Sequence, residues 1–399
     1  MSRRGGCDVA VVGAGMVGAA LALALARSDF AVTLIETKPP APWRAADELD
    51  LRVVALAPSA AELLREVEAW SAIRAARACA YRCMRVWDAA APGELAFDAA
   101  DSGEPALGWI VENRLVAHAL WQACEREPRI ALRCPARVTG STTVGSTPDG
   151  SRRVLEFDDG GTLAAQLVVA ADGAESPLRA LAGIAVQERD YAQRAVVAHV
   201  ATQRPHEATA WQRFLPRATL AFLPLADGRS SIVWSAPAAD AARLLALDDA
   251  AFCAELGAAF DFRLGRVTAT TPRAAFPLRL RLADTYLAPR LALIGDAAHV
   301  VHPLAGQGVN LGLRDVTELR DALVGARARG ADYAATPALR RYERRRRSDN
   351  ALSAHAFDAI QRTFGSASPA LAAVRGTALA ALDRLGPIKD LFARHAAGR

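Results

Sequence analysis

Two rhythms of apolar and polar positions run along this chain of 399 residues. Residues 8–12 form a short apolar run without alternation, the pattern of a strand buried on both faces. About a dozen helix-forming residues follow, and residues 30–36 then return to a β-branched strand that ends on an acid. The strand–turn–helix order recurs at 167–183 and again at 291–313. Between about 184 and 284 the rhythm changes to alternation broken by turn signals such as Asp227-Gly228, which predicts an antiparallel sheet. The expected class is α/β, a Rossmann-like layer with an inserted antiparallel β-sheet and C-terminal helices.

The first turn carries Gly13, Gly15 and Gly18 in GxGxxG spacing. Gly13 permits a tight turn, Gly15 lets a pyrophosphate approach the backbone, and Gly18 lets the helix pack on the strand. The helix's unpaired N–H groups face the phosphate. Glu36, 18 residues after the last glycine, is placed to hold the adenosine ribose hydroxyls. Its charge would repel a 2′-phosphate, which leaves FAD or NAD for this slot. The second and third strands end on Asp172-Gly173 and Gly295-Asp296, acids able to accept hydrogen bonds from sugar or ribityl hydroxyls. After Asp296 comes a loop with Pro303, and Gly306, Gln307 and Gly308 open a helix through Asn310. A glycine-flanked helix start offers bare N–H donors and a positive dipole end. A reduced flavin is anionic at its ring and suits that end, whereas NAD has no comparable anion. The reading therefore narrows to FAD, its ring over Gly306–Asn310.

Composition changes this picture little. Hydrophobic residues make up 52% of the chain, enough for a real core. The formal charge is +5, and 46 of the 48 basic residues are arginine, which looks like composition bias. The densest basic run, "RRYERRRRSDN" at 340–350, reads as a solvated helix face. Without interleaved aromatics or a DNA-binding motif, nucleic acid is excluded as a partner. Six scattered cysteines match no metal or redox spacing, and His299 and His302 lack further ligands, so no metal is expected. No apolar run is long enough to span a membrane, which suggests a cytoplasmic protein able to touch a membrane surface. The segment 368–399 has apolar residues at near-helical spacing between basic ones and is expected to pack as a C-terminal helix.

Taken in order, GxGxxG, "ADGAESPLR" at 171–179 and "GDAAHVVHPLAGQGVNLGLRD" at 295–315 resemble the motifs of the class A flavoprotein aromatic hydroxylases, the group similar to para-hydroxybenzoate hydroxylase. The resemblance spans essentially the whole chain. Segments such as "GWIVENRLVAHAL" (108–120) are similar to the ubiquinone-biosynthesis branch. It implies that Arg52 lies beside the flavin and that Arg114 reaches the FAD phosphate region. It also implies that Asp172 and Arg179 serve both FAD and NAD(P)H, that Asp296 contacts the ribityl chain, and that Pro303 lies near the site of oxygen attack. No side chain is assigned an acid–base role. The implied activity is hydroxylation of a polyprenyl-phenol or benzoquinol ring through a flavin C4a-hydroperoxide, with NAD(P)H and O2 as co-substrates. The alternatives are a hydroxylase of a soluble aromatic metabolite and a flavin-containing scaffold of a biosynthetic assembly. The implied division is a discontinuous FAD-binding domain (1–75, 107–183 and 285–345), a substrate-binding sheet (76–106 and 184–284) and a helical segment (346–399). Trp211 and Phe222, with Phe214 and Phe276, are the aromatic candidates for the substrate pocket. A peripheral membrane or complex contact and a homo-oligomer are both compatible with the chain.

Overall fold

A computed structural model describes residues 6–90, 93–145, 151–301 and 308–365. The strand Gly6–Val12 lies between Val32–Ile35 and Thr162–Ala170, parallel to both. Ile130–Arg133 extends this layer beyond Val32–Ile35, and Leu291–Leu293 extends it beyond Thr162–Ala170. Helices cover the layer, so its strands have no wet side and no reason to alternate. The helix Met16–Ala26 is buried at every position from Gly18 to Ala26. It packs against both Asn113–Arg126 and the helix Gly308–Ala328, which we call the site helix. Small residues make that approach possible: a Cβ on Gly312 would sit 2.6 Å from the Val17 side chain.

A second sheet of nine strands is built on Val186–Thr202, which pairs antiparallel with Ala274–Ala283 on one side and Ser230–Pro237 on the other. Ala218–Pro224 and Thr209–Leu215 continue it by antiparallel pairing. Cys83–Asp88 then joins Thr209–Leu215 in parallel, a departure from the all-antiparallel expectation. That strand arrives from a distant part of the chain, so no hairpin dictates its direction. Even-numbered residues Val196, Ala198, Ile232 and Trp234 enter a core with Phe252 and Phe260 from the helix Asp249–Ala259 and its C-terminal cap. The odd-numbered positions face the other way.

The helix Thr336–Gly365 carries the basic run, and here the sequence reading needs correction. Arg341, Arg344, Arg345 and Arg347 are exposed as expected, but Arg346 is only 4% exposed and joins the buried stripe with Leu339, Tyr342 and Asn350. Helical periodicity puts one arginine of the run on the inner face, where a buried charge needs a partner. Asp349 pairs with the Arg346 guanidinium at 2.6 Å, and Asp315 on the site helix is the fully buried partner, accepting from Arg346 Nε at 2.7 Å. The same carboxylate accepts from Gly295 N at 2.9 Å and from His299 Nε2 at 2.6 Å. Burial alone would raise the Asp315 pKa, but His299 and Arg346 outweigh it and hold the group below its ordinary range. Among the described residues no helix is long and apolar enough to cross a membrane. The tail 368–399 lies outside the described residues.

Asp315→Ala leaves Arg346 with Asp349 as its remaining carboxylate and takes the buried acceptor away from the Gly295 N–H and His299; it is expected to cost about 3 kcal/mol of unfolding free energy. Arg345→Ala breaks only an exposed pair with Glu318. It should change stability by less than about 1 kcal/mol, and urea unfolding of both variants measures the contrast.

Candidate functional site

Two cavities open beside the carboxyl ends of the parallel strands. The first, about 350 Å³, is lined by Gly13, Gly15, Glu36, Asp172 and Gly173 among others. Gly13 has φ +102°, and a Cβ there would lie 2.3 Å from the Ala171 carbonyl oxygen, so nothing larger fits the crossing of the two strand ends. Gly15 is the opposite case. It starts the helix Met16–Ala26, and a Cβ there would meet nothing within 4 Å. The space over that helix start is left for something else. Glu36 is pinned at the rim: its Oε2 accepts from Ala14 N at 2.7 Å, and its Oε1 accepts from Thr37 N and Oγ1 at 2.7 and 2.9 Å. Oε2, with one donor, keeps acceptor capacity for a ligand hydroxyl.

Asp172 accepts from Leu178 N at 3.1 Å through one oxygen, while its other oxygen is buried without a partner among the described residues. Burial pushes its pKa up. Arg179 is only 9% exposed and donates to the carbonyls of Ala174 (2.8 Å) and Ala297 (2.9 Å). It therefore ties the second motif to the third. Burial, then the neighbouring Arg281, pull its pKa down.

The turn through Asp172 and Gly173 continues into Ala174 and Glu175, which line the second cavity. This one is about 410 Å³ and lies between Asp296, the start of the site helix at Gly308, and the odd-numbered face of the large sheet. Asp296 is an exposed residue, yet what it faces is this recess, and the surrounding protein raises its pKa by desolvation. Its carboxylate has no hydrogen-bond partner among the described residues. Arg52 lines the same cavity, its guanidinium 5.2 Å from the centre of the Phe276 ring. Arg281 also lines it and pairs with Glu175 and Glu188.

Other expected residues fall elsewhere. Arg114 reaches Asp47 at 3.3 Å and lines neither cavity. Asn310 donates to Ala55 O at 2.8 Å and accepts from Ala57 N at 3.0 Å, so both ends of its amide hold the site helix to the neighbouring chain. Trp211 and Phe222 do not line the cavity. Phe222 stacks on Phe260 at 3.8 Å, and Trp211 meets Trp87 and Phe260 edge-on. Register explains this: Trp211 pairs with Phe222 and Phe222 with Ile232, all on the face that turns into the helix-covered core. Phe214 is likewise buried, and of these four aromatics only Phe276 lines the cavity. Pro303, Gly306, Gln307 and His302 lie outside the described residues. The sequence reading missed Val197, Ser231 and Val233 as wall residues. Strand parity would have found them, since they alternate with Val196 and Ile232 of the core.

These features fit FAD on the structure's own terms. An open helix start, an orphaned buried carboxylate oxygen and two cavities meeting along one turn suit a nucleotide joined to a flat ring.

Residues 6–353 match the family described as FAD binding domain. The chain is 41% identical over 391 residues to the 3-demethoxyubiquinol 3-hydroxylase of Escherichia coli (strain K12), covering 98% of each protein. It is 39% identical to the ubiquinone hydroxylase UbiL of Rhodospirillum rubrum over 98% of this chain and 89% of that one. Among solved structures, p-nitrophenol 4-monooxygenase PnpA from Pseudomonas putida DLL-E4 superposes with a TM-score of 0.74 at 19% identity, covering 97% of this chain and 96% of that one. PqsL from Pseudomonas aeruginosa, in complex with 2-aminobenzoylacetate, gives 0.73 at 21% identity over 90% and 97%. At such identity the structural likeness speaks for the fold alone.

Gly15→Val projects its side chain into space where no protein atom stands. The variant is expected to fold with near-normal thermal stability as apoprotein but to purify with little or no FAD, as the flavin-to-protein absorbance ratio will report.

Proposed function

The chain belongs to the FAD binding domain family, whose members are flavin-dependent aromatic hydroxylases, and on that premise we propose that it hydroxylates the ring of a polyprenylated phenol or quinol on the route to ubiquinone. NAD(P)H and O2 are the co-substrates. The observation that carries the reading is a cavity walled largely by aliphatic side chains, in a chain aligned end to end with a demethoxyubiquinol hydroxylase.

Bound FAD supplies the hard chemistry, accepting two electrons from a nicotinamide nucleotide and activating dioxygen for transfer to the ring. The chain's own residues bind, orient and exclude water. Gly13, Gly15 and Gly18 let a pyrophosphate reach the first helix start, and Glu36 takes ribose hydroxyls. Asp172, with Arg179 bracing its turn, and Asp296 accept from hydroxyls of the cofactor. Arg52 sets a positive charge beside the ring. Ala195, Val197, Val233 and Leu278 keep the second cavity dry, which protects reactive species from water. In this reading the parallel layer holds the cofactor, and the nine-stranded sheet, with the strands of 83–98, closes over the substrate.

Purified protein is expected to be yellow and to oxidise NAD(P)H faster when a prenylated phenol is added, with a product heavier by one oxygen in mass spectrometry. A deletion strain that keeps a normal quinone pool would instead favour a soluble aromatic substrate. The raised pKa of Asp296 adds a pH dependence. A hydroxyl donated by FAD favours the ionised carboxylate, so binding lowers this pKa. Affinity for FAD should therefore be full above the raised apoprotein value and weaken as pH falls through it. Asp296→Asn should flatten that dependence in fluorescence titrations of apoprotein with FAD.

A further inference from the structure

The chain's excess positive charge is concentrated near one end. Residues 336–350 hold six arginines against Glu343 and Asp349, a net of +4 in a chain whose formal charge is +5. Counted from 336 to 399 the net is +7, so the preceding 335 residues carry −2. Arginine is abundant throughout, but elsewhere acids balance it. Such asymmetry points to an anionic partner for this end of the chain.

The helix Thr336–Gly365 sorts that charge by face. Leu339, Tyr342, Arg346 and Asn350 are buried on its inner side. Both acids are engaged with the body of the protein: Glu343 accepts from Tyr286 N at 2.9 Å, and Asp349 pairs with Arg346 at 2.6 Å. Arg340, Arg344 and Arg347 follow one another at helical spacing on the opposite side, beside Arg341 and Arg345, and all five are exposed. Arg345 meets Glu318 of the site helix at 3.1 Å, whereas the other four form no ion pair among the described residues. Leu352 continues the row of Arg341 and Arg345. It is 64% exposed, more than any other large hydrophobic side chain among the described residues. Water rewards the arginines but not the bare leucine. A layer of anionic headgroups takes both, phosphates pairing with guanidiniums while the leucine reaches the acyl boundary.

We propose that this outer face, Arg340, Arg341, Arg344 and Arg347 with Leu352, is where the protein rests on an anionic lipid bilayer. The choice of a bilayer rests on the reading of the chain as a hydroxylase of polyprenylated phenols, because such a substrate is dissolved in lipid. The chain's own segment 366–399 is a poor cover for the face, since its net charge is +3. The inner side of the same helix meets Asp315 through Arg346, so the docked helix is tied to the frame that carries Asp296.

The test sediments the FAD-loaded full chain with vesicles of phosphatidylcholine alone or of equal parts phosphatidylcholine and phosphatidylglycerol. The native protein is expected to pellet with the anionic vesicles only, and to be released as salt shortens the Debye length. Arg340→Gln, Arg341→Gln, Arg344→Gln and Arg347→Gln combined should weaken binding several hundredfold, at roughly fivefold per arginine. Leu352→Gln should weaken it several-fold. Both variants should keep their FAD and their thermal stability. A control that exchanges the exposed Arg74, Arg126, Arg204 and Arg266 for glutamine lowers the net charge equally and should retain most of the binding. Equal loss in that control overturns the proposal. So does native protein that stays in solution beside anionic vesicles, which would leave an acidic protein as the partner that fits the face. The hydroxylase reading is judged separately, by whether a prenylated phenol speeds NAD(P)H oxidation. Vesicle binding through the arginines without that acceleration upholds the docking face and overturns only the reading.

Discussion

The carboxylate of Asp315 is the fixed point of the site. It is fully buried and receives the backbone N–H of Gly295, the imidazole of His299 and the guanidinium of Arg346. Those donors come from three places: the strand-end turn that carries Asp296, the short strand His299–Val300 after it, and the long helix Thr336–Gly365. A charge in that position is tolerated only because every donor is in place, and each donor is held because the charge is there. The direction in which Asp296 faces, and so the mouth of the second cavity, follows from this one carboxylate. Arg346 extends the network to Asn350, which donates to the hydroxyl of Tyr286.

The polar inventory divides accordingly. Groups that brace the frame have their partners: Asp315, Asn310 and the guanidinium of Arg179 all end on other parts of the chain. Two acids beside the cavities do not. One oxygen of Asp172 and the carboxylate of Asp296 lack partners among the described residues. Buried polar groups are normally satisfied, so these two carboxylates mark where a cofactor would complete the structure. The open space over Gly15 carries the same information in steric form.

Much of the fold was legible because local rules governed it. Unalternating runs implied buried parallel strands, and GxGxxG followed by a helix and Glu36 marked residues that line the first cavity, since the turn, the helix start and the acid lie within one β-α-β unit. Asp296 at the end of its strand followed the same rule. Trp211 and Phe222 were misplaced because aromatic identity says nothing of which face a strand turns inward. Arg346 was taken for solvent because a basic run hides which of its members falls on the inner stripe. Neither fact is local.

By itself, then, the order of residues determined the glycine-lined first cavity, the class of cofactor and the alternation of the large sheet, each set by contacts a few residues apart. Tertiary structure alone decided which parity of that sheet became cavity wall. It also gave Asp315 a partner 31 positions along the chain. Those outcomes depend on how separate elements pack and on where a buried charge or lone pair finds its complement, and no local spacing encodes either.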